Sequence, residues 1–163
     1  MTTNSNLPLI RGLLLFFIVG LILSGVTAFP LETELKILTD LVGTNSFAQH
    51  IGLTDWLLKV SNGLTQTYAK YPFVAYGTDW LAFAHIVIAI AFIGPLRDPV
   101  KNIWVIEFGM IACALVIPLA LIAGPIRGIP FGWTLIDCSF GVLGIIPLWL
   151  CWRLIKQTEA SPS

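Results

Sequence analysis

Four stretches of this chain contain no Asp, Glu, Lys or Arg: residues 12–31, 80–96, 108–126 and 138–152. A helix rises 1.5 Å per residue, so about 20 apolar residues cross a hydrocarbon core of about 30 Å. The first and third stretches meet that length as they stand. The second carries one histidine, His85, and the fourth reaches the length if Asp137 is admitted, giving 128–152. A soluble chain of 163 residues has too much surface for its volume to hide four such stretches. The bilayer is the solvent that accommodates them.

Composition narrows the classes further. Hydrophobic residues make up 56% of the chain and charged residues 11%, and the mean hydropathy is +0.87. So little charge argues against a disordered chain. Nine Lys+Arg balance nine Asp+Glu. No cationic excess is left to neutralise phosphates, so nucleic acid is not an expected partner. Cys113, Cys138 and Cys151 all fall in apolar stretches without CxxC spacing. They are expected to pack as small hydrophobes rather than to form disulfides or a zinc site.

The expected fold is an all-α membrane protein, a four-transmembrane-helix antiparallel bundle forming a single membrane domain over 1–163. Its spans lie near 10–29, 76–96, 103–124 and 133–154. The first span also resembles a cleavable signal peptide, with Arg11 before an apolar stretch and Val26-Thr27-Ala28 as small residues behind it. The chain begins at Met1, which favours retention of the span.

Short flanks set orientation, because Lys and Arg accumulate on the cytoplasmic side. With four spans, Arg11, Arg97, Lys101, Arg153 and Lys156 share one side. The expected location is the plasma (inner) membrane with both termini cytoplasmic. Tryptophan rings prefer membrane interfaces. Trp80 and Trp133 fall at the outer ends of spans two and four, and Trp104, Trp149 and Trp152 at inner ends. Two turns, residues 93–99 and 123–130, are expected to stop helices, and Gly-Pro-x-Arg recurs in both.

Between spans one and two lies an extracytoplasmic amphipathic segment, 30–72. Leu31, Leu35, Leu38 and Val42 recur at helical spacing behind Pro30, which suits a helix start. A second helix near 54–70 aligns Trp56, Val60, Leu64 and Tyr68, and Ser46-x-x-Gln49 fits a capping box between the two. Such helices are expected to lie on the leaflet or to cap the bundle.

An ionisable group within a span costs a few kcal/mol and needs a reason to be there. Asp79 is beside Trp80 and is expected to reach outer water. Glu107 lies close to the inner face, where it can snorkel or meet Arg97, Lys101 or Arg153. His85 lies roughly 7.5 Å below Trp80, and Asp137 roughly 6 Å below Trp133. His85 shares a helical stripe with Ala82 and Ala89. Asp137 shares one with Gly141 and Leu148, with Gly144 beside it. Small residues mark faces where membrane helices approach closely. The ligand or proton site candidates are therefore His85 and Asp137, facing inward and able to pair, with Asp79 and Arg127 flanking the mouth.

Four functions fit these residues. The first is an accessory or assembly subunit, held among other membrane subunits or in a homo-oligomer. The second is a proton-linked small-solute transporter or gate that uses the His–Asp pair. Pro118 and Pro147 would kink its spans. The third is haem or quinone binding, with His85 as an axial ligand, His50 or a second chain supplying the other. The fourth, an enzyme, is the weaker reading. No GxSxG, HExxH or Gly-rich phosphate loop occurs, and no metal site is expected.

Overall fold

The computed structural model describes residues 6–160, and every regular element among them is helical. In chain order these are α1 (Leu7–Ala28), α2 (Leu31–Val42), α3 (Ser46–His50), α4 (Leu53–Lys70), a 3₁₀ turn (Pro72–Val74), α5 (Ala75–Ala91), α6 (Ile93–Arg97), α7 (Ile103–Ile126) and α8 (Phe131–Ala160). Four segments are long and apolar enough to cross a membrane: Leu7–Ala28, Pro72–Arg97, Ile103–Ile126 and Phe131–Thr158. The chain is thus a multi-pass membrane protein by length and composition, with the spans where the charge-free stretches place them.

The fold consists of two compact units. One contains the chain up to Gly20 together with the chain from Ile88 onward, and the other is Leu21–Val87.

The first unit is built around α7 and α8, which run antiparallel. The pairing descends in register from the connecting turn. Thr134 packs against Gly124, Cys138 Sγ–H points at the Ile117 carbonyl at 4.0 Å, Gly141 and Gly144 lie against Cys113, and Leu148 lies against Gly109. Small residues let the two backbones come together, which lipid-immersed helices need because van der Waals packing is what holds them. A β-carbon on Gly141 would collide with the Cys113 carbonyl oxygen, and one on Gly144 would lie 2.8 Å from Cys113 Sγ. The beginning of α1 joins this pair. Phe17 and Phe92 stack with centroids 4.8 Å apart, and Cys151 Sγ–H donates to the Ile10 carbonyl at 3.6 Å. Ile10, Leu14, Phe92, Ile106, Leu148 and Ile155 are fully buried there.

Both helices stop within the expected stretches, though not at the Gly-Pro pairs. Gly94 and Pro95 begin α6 rather than ending a helix. The interruption falls at Phe92, and the helix ends at Asp98. Pro95 sits in a first helical turn, where its missing N–H goes unneeded. Asn102 then ties the following turn, donating to the carbonyls of Asp98 at 2.9 Å and Gly94 at 3.2 Å. Gly124 and Pro125 likewise lie inside α7. The stop is Gly128, at φ +67°. There Ile129 N–H donates to Gly124 O and Gly128 N–H to Pro125 O, the paired bonds of a helix end that needs a left-handed residue. Gly124 is small for a different reason: Thr134 Oγ1 would lie 2.8 Å from any β-carbon there.

The second unit is the helical segment between spans one and two, with the adjoining ends of α1 and α5. The helices fall within one turn of the expected positions. Helix α2 packs on α4, burying Leu35, Ala48 of α3 and Leu57. The expected capping box is not the cap of α3. Asn45 is the N-cap, its Oδ1 accepting from Phe47 N–H and Ala48 N–H at 3.0 and 3.1 Å. Gln49 Nε2 instead donates to the Gly43 carbonyl at 2.7 Å. The Asn carboxamide reaches two free amides of the first turn, so Ser46 is left as the first helical residue.

Candidate functional site

The candidate residues divide between the two units. His85 and Asp79 belong to α5 in the second unit. Asp137 on α8, Arg127 at the end of α7 and Glu107 on α7 belong to the first.

His85 is half-buried on the face expected for it, in line with Ala82 and Ala89, which are both buried. At this point α1 and α5 come together through Gly25. A β-carbon on Gly25 would lie 2.8 Å from the Ala82 carbonyl oxygen and 3.2 Å from His85 Cβ. The imidazole Nδ1 is 2.8 Å from the Leu81 carbonyl oxygen one turn back. A carbonyl oxygen only accepts, so Nδ1 carries the hydrogen and donates it. In the neutral ring the proton-free nitrogen is then Nε2, whose lone pair is available to a proton or a ligand.

Asp79 lies half-buried near the start of α5, and six residues separate it from His85, which on a helix turns the two roughly 120° apart. They do not share a face. The hydroxyl chemistry near Asp79 is local: Tyr68 Oη and Thr78 Oγ1 are 3.3 Å apart, and Thr78 donates to the Ala75 carbonyl at 2.7 Å.

In the first unit Asp137 stands on α8 between Thr134 and Gly141, both of which pack on α7. The expected stripe is therefore a helix-packing face. Asp137 is half-buried, and among the described residues its carboxylate has no hydrogen-bond or ion-pair partner. Arg127 does not supply one. Its side chain is exposed in the turn, and only its backbone N–H is engaged, on Ala123 and Gly124.

Glu107 has a partner other than the cations expected for it. The Trp152 indole N–H donates to Glu107 Oε1 at 3.0 Å. The antiparallel register sets Trp152 beside Glu107. Arg153 points elsewhere, its guanidinium over the Trp149 ring at 5.4 Å. The neutral indole satisfies the carboxylate while its ring stays in apolar surroundings. Arg11 is also committed. Its Nε donates to the Leu96 carbonyl at 3.2 Å and its Nη2 to the Arg97 carbonyl at 3.4 Å. A cation at the last carbonyls of a helix meets the negative end of the dipole. Residues 10–11, 96–97, 107 and 151–152 therefore gather at one end of the first unit, bringing the flanking Arg11 and Arg97 together.

His50 is exposed at the last residue of α3. The three cysteines are free thiols, and among the described residues no three of His, Cys, Asp and Glu converge as a metal site. No protein-family model, curated protein or solved structure matches this chain.

Proposed function

We propose that this chain is an accessory or assembly subunit of a plasma (inner) membrane system. On this reading it is an antiparallel four-span bundle with both termini cytoplasmic and the α2–α4 segment extracytoplasmic. The observation that carries the reading is Asp137, a half-buried carboxylate on a span, without a partner among the described residues. A charged residue in a span costs about 2.5–3.5 kcal/mol on insertion scales, and such residues pair or line a pathway. A cation or hydrogen-bond donor from another membrane subunit, or from a second copy, would satisfy Asp137 and hold the assembly in register. The test is mild extraction into nanodiscs after cross-linking in the membrane. The wild-type chain is expected to carry a stoichiometric partner or a second copy, and Asp137→Asn to lose it while folding normally. Equal recovery from both would contradict the reading.

A second reading has its own support in His85. With Nδ1 held by Leu81, Nε2 is a fixed basic site next to a close helix contact. That suits a proton-linked transporter or gate in which His85 takes up and releases the proton. The same geometry suits an axial haem ligand or a hydrogen bond to a quinone. Purified chain in liposomes separates these. A pH-driven flux abolished by His85→Ala selects transport, and a haem absorbance band lost in the same variant selects haem.

A further inference from the structure

We propose that the apolar edge of α2 and α3 is a membrane-binding surface, seated in the headgroup–acyl boundary of the leaflet at which α1 ends. This requires the spans alone and is independent of the subunit reading.

The sequence of α2 divides into three strips. Leu31, Leu35, Leu38 and Val42 form the least exposed one, with Leu35 buried where α2 packs on α4. Glu32, Lys36 and Asp40 form a polar strip, and Glu32 and Lys36 line a groove with Ser61 and Thr65 of α4. The third strip starts polar, at Thr33 and Glu34, and turns apolar and uncovered at Ile37 and Leu41. Ile37 is 55% exposed and Leu41 72%. Beyond α2, Phe47 of α3 is 71% exposed and Ile51, just after α3, is 56% exposed. A second groove, of about 360 Å³, begins at Thr27 on α1 and runs along Ile37 and Leu41. A stable water-facing helix would not present apolar residues on two of its three sides.

The chain's own connections identify the occupant. Only Phe29 and Pro30 separate α1 from α2, and only Tyr71 separates α4 from the segment that starts span two. Both ends of the segment are therefore fixed at the membrane surface. Exposed aromatic rings mark that level. Tyr71 and Phe73 stack edge-on at 6.0 Å, Tyr76 and Trp80 at 5.9 Å, and all four are exposed. Tyr and Trp at the ends of spans sit among headgroups. An uncovered apolar helix edge tethered a few residues from them has the bilayer as its nearest apolar phase. Residues 30–72 carry four carboxylates and three lysines. The surface therefore seats by apolar insertion and not by attraction to anionic lipid.

The experiment uses the full chain in liposomes, with Cys113, Cys138 and Cys151 replaced by Ala and single nitroxide-labelled cysteines placed in turn at Ile37, Leu41, Phe47 and Ile51. Lys36, Asp40 and Asp55 serve as controls. The four apolar sites are expected to show severalfold higher collision with oxygen relative to a water-soluble nickel chelate than the controls, equally in neutral and anionic vesicles. Equal nickel access at all sites overturns the proposal. Spin–spin broadening that disappears on dilution with unlabelled chain assigns the edge to a second copy and overturns it too. A benzophenone amino acid at Leu41 or Phe47, in the chain with its native cysteines, covers failure of the cysteine-free background. Lipid adducts support the proposal, and adducts to protein or none contradict it.

Discussion

The Trp152 indole N–H donates to the Glu107 carboxylate at 3.0 Å, joining the beginning of α7 to the far end of α8. This bond replaces the cation partner that the local charge pattern suggests for Glu107. It also gives Trp152 a structural duty beyond marking an interface. Trp152→Phe leaves the half-buried carboxylate without its donor, and an unsatisfied group of this kind costs about 1–3 kcal/mol. Glu107→Gln keeps an acceptor and should cost less. Trp152→Phe combined with Glu107→Leu should recover part of the loss, because no polar group is then stranded. Unfolding titrations in detergent micelles measure all three.

The α7–α8 contact predicts opposite rescue behaviour for two neighbouring glycines. Gly144→Ala brings a β-carbon to 2.8 Å from Cys113 Sγ. It should destabilise the pair, and Cys113→Ala should relieve most of the effect by removing the sulfur. Gly141→Ala meets the Cys113 backbone carbonyl instead. Cys113→Ala should leave that loss in place. A double-mutant cycle on thermal stability reads the difference.

How much of this was legible in the sequence follows from the range over which each signal acts. The spans were readable because an uncharged stretch is a local property, and all four segments fall where the charge-free residues lie. The packing faces were readable too. Helical spacing placed Asp137 with Gly141 and Leu148, and His85 with Ala82, and these are contact faces. Both helix stops fall inside the expected stretches, residues 93–99 and 123–130, but beyond the Gly-Pro pairs themselves. Pro95 tolerates a first turn, and Gly124 is small to admit Thr134. The true stop, Gly128, is given by its backbone angle. Glu107 found Trp152 across 45 residues of sequence, a distance over which neighbouring charges say nothing. Arg11 acting on the carbonyls of Leu96 and Arg97 was hidden for the same reason.

In the second unit, Thr54 is buried and its hydroxyl has no hydrogen-bond partner among the described residues. Replacing an unsatisfied polar group by an apolar one of the same shape removes a desolvation cost of about 1–3 kcal/mol. Thr54→Val should therefore raise the stability of the α2–α4 segment. Amide hydrogen exchange in α2 and α4 is the measurement, with slower exchange expected in the variant.

Gly25 sets the helix spacing next to His85. A β-carbon there would press on the Ala82 carbonyl at 2.8 Å. Backbone cannot yield as a side chain can, so Gly25→Ala should force α1 and α5 apart and Gly25→Leu more so. The two helices would lose this close contact beside His85, and thermal stability in detergent should fall, further for Gly25→Leu than for Gly25→Ala. Gly20→Ala is the control, since open space surrounds Gly20, and it should leave that stability unchanged.

The central claim is a chain that crosses the membrane four times with its cationic flanks inside. Single cysteines at Asn45, Asp98, Gly128 and Gln157, probed with a membrane-impermeant maleimide on intact cells and again after lysis, test it most directly. Asn45 and Gly128 should label in intact cells, and Asp98 and Gln157 only after lysis. Labelling of all four sites from outside, or the reverse pattern, would contradict the account.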